Sequence, residues 1–128
     1  MRILLDTHTV LWWVDDDDRL SATARKLLAD SRTSNLLSVV TVWEVAIKYH
    51  LGRLRLPGTP EEFFANITDE LDLITLPIEK VYAFTAASLP LHHSDPFDRM
   101  LISQAIIEQV PILSSDTRLA RYPVQVLW

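Results

Sequence analysis

Five carboxylates occupy positions from which a single site could be built. Asp6 follows the run RILL, Glu44 lies in TVWEVAIKYH, Asp95 and Asp98 bracket Pro96-Phe97, and Asp116 follows PILSS. Carboxylates brought together repel one another, and the repulsion is tolerated only where protons or cations neutralise them. The 128 residues contain no cysteine, so thiolate ligands are excluded and a metal would be held by oxygen or imidazole. An all-oxygen set selects a hard cation such as Mg²⁺ or Mn²⁺. Such ions activate water and stabilise the charge that grows on phosphoryl oxygens, so the chemistry indicated is that of phosphates.

Each acid also has a local alternative. Asp6 could cap a short helix starting near Thr9, and Asp116 could cap a short helix over SSDTRLA. Glu44 shares a mostly apolar face with Val40, Ile47 and Leu51, so its carboxylate needs a partner, and Lys48 could supply an i,i+4 ion pair. Asp95 suits an N-cap, with Pro96 at the first helical position. Asp98, at the third, could turn toward a strand edge, where the helix N-terminus would lower its pKa and keep it ionised. Arg99 and Arg118 could contact phosphate or simply pair with these acids.

The elements that must position these residues read as strands alternating with helices. RILL at 2–5, NLLSVV at 35–40, DLITL at 72–76, PILS at 111–114 and VQVLW at 124–128 are short, β-branched or leucine-rich runs bounded by turn formers. Helices are expected from Ser21 through SATARKLLAD, from Thr41 to Gly52, from a capping box at Thr59 to about Leu71, and over IEKVYAFTAAS and PFDRMLISQAIIE. Strands without internal alternation imply a sheet covered on both faces. The expectation is a three-layer α/β/α fold with a central, mostly parallel sheet, one domain over residues 1–128. Its usable site would lie beyond the carboxyl ends of the strands, near a topological switch point. All five acids map to that edge.

Composition limits the alternatives. A 14.7 kDa chain that is 48% hydrophobic, with two glycines, shows no disordered tract or linker. The N-terminus, interrupted by Asp6 and His8, is neither a signal peptide nor a membrane span, which points to a cytoplasmic protein. The net charge of −5 argues against a broad basic surface for nucleic acid, but Asp6, Glu44, Asp98 and Asp116 account for four of those charges. Asp15 to Asp18 reads as a solvated loop. His92-His93 reads as a polar loop, surface or substrate-facing, rather than ligand, and Trp12, Trp13, Trp43 and Trp128 as core or interface.

Taken together and in order, LLDTHTVLWW, SVVTVWEVAIKYHLGRL, HHSDPFDRMLISQA and ILSSDTRLARYPVQVLW resemble the PIN-domain ribonucleases, in particular VapC-type toxins of bacterial toxin-antitoxin pairs. The resemblance spans nearly the whole chain. It implies an acidic quartet of Asp6, Glu44, Asp98 and Asp116 holding Mg²⁺ or Mn²⁺ and cleaving RNA. It implies a small antitoxin partner whose C-terminal segment lies across the acidic pocket, and a homodimer. Asp95 belongs to the Asp-Pro-Phe-Asp subgroup and is the expected cap, with assistance to the metal as its second possible role. Thr7 belongs to the Asp-Thr element after the first strand. Ser114 stands where many relatives have threonine, which keeps open a water-positioning role. Two other readings remain at this point: a receiver-like phosphoacceptor module and a catalytically silent PIN-like binding protein. Against the first, none of Lys26, Lys48 and Lys80 follows a C-terminal strand.

Overall fold

The computed structural model describes residues 1–128. In chain order its elements are β1 (Arg2–Leu5), α1 (Thr7–Val14), α2 (Ala22–Ala29), β2 (Ser34–Ser38), α3 (Val39–His50), α4 (Pro60–Glu70), β3 (Ile74–Leu76), α5 (Lys80–Ser88), α6 (Pro96–Glu108), β4 (Ile112–Leu113), a 3₁₀ turn (Thr117–Arg121) and β5 (Val126–Leu127). The strands form one sheet in the order β3-β2-β1-β4-β5, and every pairing is parallel. The chain builds outward from β1 to β2 and β3, then crosses back to lay β4 and β5 on the other side. The switch point therefore lies between β1 and β4, the crevice where α/β sheets present their sites.

The inner strands are largely apolar on both faces because both faces are covered. Ile3, Leu5, Leu37 and Leu113 point into one core with Val10, Ala24, Leu28, Val45, Phe63 and Ile67, from α1, α2, α3 and α4. Their neighbours Leu4, Leu36 and Ile112 point into the other, with Leu101, Ile102 and Ala105 of α6 and with Leu119 and Tyr122. Side chains alternate across a strand, so a continuous apolar run fills two cores at once.

Element ends depart from the sequence reading where polar side chains intervene. The run NLLSVV does not continue as a strand. The Ser38 hydroxyl accepts a hydrogen bond from Val40 N at 3.1 Å, so the two valines open α3 instead. Asp72 adopts a left-handed conformation (φ 51°) beyond α4, and β3 starts only at Ile74. Asp6 precedes a helix that begins at Thr7 rather than near Thr9. At Thr59 half of the expected capping box forms: Thr59 Oγ1 accepts from Glu62 N at 3.2 Å. The Glu62 carboxylate lies over Gly58 instead of returning to the cap, at a place where any Cβ would come within 2.8 Å. No helix is long and apolar enough to cross a membrane.

Leu5 is fully buried in the central strand, one residue before Asp6. Leu5→Ala should lower unfolding stability in urea by about 3 kcal/mol, as for a core leucine whose site cannot collapse. A loss below about 1 kcal/mol would contradict this packing.

Candidate metal centre

The acidic residues converge at the carboxyl edge of the sheet, each held by a different donor. Asp6 sits at the N-cap position of α1, yet its side chain caps nothing. Its Oδ2 accepts from Ser114 Oγ at 2.6 Å, and Ser114 Oγ in turn accepts from Asp116 N at 3.0 Å. The Ser114 hydroxyl proton is thus directed at Asp6, which makes Ser114 a brace for that carboxylate. Burial raises the Asp6 pKa above the usual carboxylate range, although the Ser114 hydrogen bond opposes it.

Glu44 reaches the same cleft from the second turn of α3. Thr7 Oγ1 donates to Glu44 Oε1 at 2.8 Å, and because that uses its only proton, Thr41 Oγ1 at 3.2 Å must donate to Thr7. Lys48 Nζ meets Glu44 Oε2 at 2.5 Å. The i,i+4 pair and the site placement therefore coexist. Lys48 also enters the cleft, although it follows no late strand.

Asp95 caps α6: its Oδ1 accepts from Phe97 N at 2.8 Å and from Asp98 N at 3.2 Å. Asp98 turns inward, but the expectation that the helix terminus keeps it ionised is overturned. Burial first, and then the charges of Asp6, Asp95, Glu44 and Asp116, push its pKa up to about 8. A helix N-terminus is worth only about 0.3–1 kcal/mol at a surface, too little against desolvation among four other acids. Asp116 goes the other way. It caps the 3₁₀ turn through Arg118 N, and the Arg118 guanidinium grips both its oxygens at 3.0 and 2.8 Å, which holds its pKa at about 2.

Two residues lie differently from the sequence reading. Arg99 does not face the cleft. Its guanidinium is buried and donates to the carbonyls of Ala86, Leu89, Pro90 and His93, at 2.8 to 3.1 Å, clamping the turn between α5 and α6. His93, read as loop, is buried, and its Nε2 lies 2.9 Å from Asp98 Oδ2 and 3.2 Å from Asp116 Oδ2. The signal available in the sequence was its place two residues before the cap of α6. Thr41, a β-branched residue inside a helical run, carried no such signal.

The resulting cleft, about 350 Å³, has no apolar residue in its lining. A neighbouring cleft of about 410 Å³ shares Thr7, His8 and Lys48 with it. That cleft runs over Leu11, Leu54, Leu56 and Phe63, with Arg19, Arg53 and Arg55 also in its lining. Among the tryptophans, Trp12 packs edge-on against Trp128, while Trp43 is 57% exposed with its edge on Phe97.

The sequence matches the profile of the PIN domain over residues 3–125. The chain belongs to the PIN-domain family. No curated protein matches it. Among solved structures, VapBC2 from Rickettsia felis bound to a promoter DNA fragment is similar at 16% identity and a TM-score of 0.71, covering 99% of this chain and 98% of that one. A toxin-antitoxin complex from Klebsiella pneumoniae is similar at 14% identity and a TM-score of 0.67, covering 98% and 96%. FitAcB from Neisseria gonorrhoeae is similar at 20% identity and a TM-score of 0.60, covering 98% and 96%. At these identities the likeness is one of fold, and it agrees with the parallel sheet found here.

In this PIN domain the raised acids have a consequence for stability. A carboxyl whose folded pKa exceeds its unfolded value binds more protons folded than unfolded between the two, so stability falls as pH rises through that window. For Asp98 the window runs from 3.8 to about 8. The depressed acids Asp17, Asp30 and Asp116, at about 2, act only below their unfolded value of 3.8 and do not offset it. With EDTA present, the melting temperature should therefore fall from pH 5.5 to pH 8.5, and Asp98→Asn should flatten part of that fall. Equal slopes for wild type and variant would contradict the raised pKa of Asp98.

Proposed function

We propose that this PIN domain is a metal-dependent endoribonuclease and the toxin of a toxin-antitoxin pair. The observation that carries the reading is the convergence of Asp6, Glu44, Asp98 and Asp116 on one wholly polar cleft at the switch point of the sheet. The donor set fits a hard divalent cation: it is all carboxylate oxygen, and the raised Asp6 and Asp98 mark a place where positive charge is in deficit. Held by these four residues, Mg²⁺ or Mn²⁺ would supply an activated water and offset the charge developing on a phosphodiester.

The chain's own groups prepare that arrangement. Ser114 orients Asp6, Thr7 orients Glu44, and the Asp95 cap fixes the first turn of α6 from which Asp98 projects. Asp116 has every acceptor position taken, two hydrogen bonds to each oxygen. A ligand reaches it by displacing a partner, and the Arg118 side chain, 60% exposed, is the one free to swing away. Once released, its guanidinium is placed to meet a phosphate. RNA as the substrate follows from the family resemblance.

That a similar fold occurs in a toxin-antitoxin complex supports a small antitoxin as partner. Such a partner would present an arginine to the acidic cleft, and the protein would act in the cytoplasm as a homodimer. The phosphoacceptor reading gains a lysine in the cleft, Lys48, but its fold family is a different one. A silent binding protein would have no need of the full set of acids.

Purified protein free of antitoxin should cleave RNA with Mg²⁺ or Mn²⁺ and not with EDTA. Asp98→Asn should slow cleavage at least about a hundredfold with an unchanged circular dichroism spectrum, while Asp95→Asn, which keeps a capping oxygen, retains most activity. Wild-type cleavage by Asp98→Asn, or stable aspartyl phosphorylation by a small phosphodonor, would sink the assignment.

A further inference from the structure

The segment from Leu89 to Asp95 is fixed through its backbone. Arg99 holds the Leu89, Pro90 and His93 carbonyls. The Tyr122 hydroxyl donates to Pro90 O at 2.6 Å and accepts from His93 N at 2.9 Å. This leaves the His93 ring, with a side chain only 3% exposed, projecting into the acidic cleft.

The ring's tautomer follows from its neighbours. Nδ1 accepts a hydrogen bond from Asp95 N at 3.2 Å. A nitrogen that accepts carries no proton, so the proton of the neutral ring is on Nε2. From there it points at Asp98 Oδ2 and Asp116 Oδ2, 2.9 and 3.2 Å away. His93, Asp98 and Asp116 offer ligand atoms within 4.8 Å of one another, the spacing of a metal site. Yet an Nε2 that donates has no lone pair for a cation, so the ring is not a ligand in this arrangement.

We propose that His93 is a positioning residue of the acidic centre: its Nε2–H bridges one oxygen of Asp98 and one of Asp116, and stays in place when a divalent cation binds the carboxylates. This rests on the metal-centre reading above. Of the two side chains that hold Asp116, Arg118 is exposed and exchangeable, whereas His93 is buried and its backbone is clamped at both N–H and C=O. Carboxylates that ligate metals depend on such outer hydrogen bonds for orientation.

The contacts that fix the loop use the backbone of His93, so they survive replacement of its side chain. Mn²⁺ titrated into the full chain and followed by electron paramagnetic resonance should bind His93→Ala about 10–100-fold more weakly than wild type. His93→Gln, whose amide can still donate, should recover most of that loss. In ¹⁵N spectra of histidine-labelled wild type, with His93→Gln used for assignment, Nε2 should stay protonated and Nδ1 unprotonated before and after saturation with Mg²⁺. Wild-type Mn²⁺ affinity in His93→Ala, or loss of the Nε2 proton on adding Mg²⁺, would overturn the proposal and leave the metal centre standing. A wild-type protein that takes up no Mn²⁺ would overturn the metal centre itself.

Discussion

Mutual repulsion among buried carboxylates is the constraint to which the rest of this structure answers. Asp6 and Glu44 are almost fully buried, and Asp98 and Asp116 lie beside them. None of these groups would stay there unassisted, because desolvation and like charge both favour protonation or dispersal. Each is instead tied to a donor, distant in sequence for Asp6 (Ser114) and for Glu44 (Thr7), local for Glu44 again (Lys48), Asp116 (Arg118) and Asp98 (His93). The charge that results is uneven. Arg118 fixes it firmly at Asp116, while burial withholds it from Asp98.

The sheet explains why such groups can gather only where they do. With helices on both faces, residues inside β1, β2 and β4 have apolar surroundings above and below. Charge is tolerated only past the strand ends, where loops and helix N-termini supply backbone donors. The β1–β4 crevice lets Asp6 and Ser114 meet, since Leu5 and Leu113 are register partners immediately before them. Helix α6 runs antiparallel to the strand it leads into, so its first turn, with Asp98, opens at the same edge.

Much of this was legible from strand ends. Runs such as RILL and PILS announce buried strands, and an acid just after each must emerge at the carboxyl edge, which places Asp6 and Asp116 without coordinates. Asp98 followed from a helix whose start was marked by its cap, and Glu44 from a helical run whose end was marked by Gly52. What was not legible depended on side-chain direction within irregular backbone. Arg99 and His93 both flank an acid in sequence, yet one points away to cap carbonyls and the other points in. The turn between α5 and α6 sets those directions, and its path is fixed by tertiary contacts with Tyr122 and Ala86 that no local pattern encodes. The end of β2 failed for a related reason: Ser38 offers its hydroxyl both to Val40 N and to Gln104 of α6, and that distant partner outweighs the strand preference of two valines.

Capping a helix and lining the cleft are compatible for one carboxylate. A carboxylate has two oxygens and about four acceptor positions, whereas an N-cap needs only one or two of them. Asp95, which lines the cleft, uses Oδ1 for both of its capping bonds, which leaves its second oxygen out of the cap. Asp116 caps through Oδ1 and meets His93 through Oδ2. Asp6, which stands at a cap position and does not cap, is the exception, and its freedom traces to Ser114 taking the carboxylate first. An acid at a helix start is thus already aimed by its backbone at the strand edge, so capping is one of the ways in which this fold orients a carboxylate toward the acidic cleft.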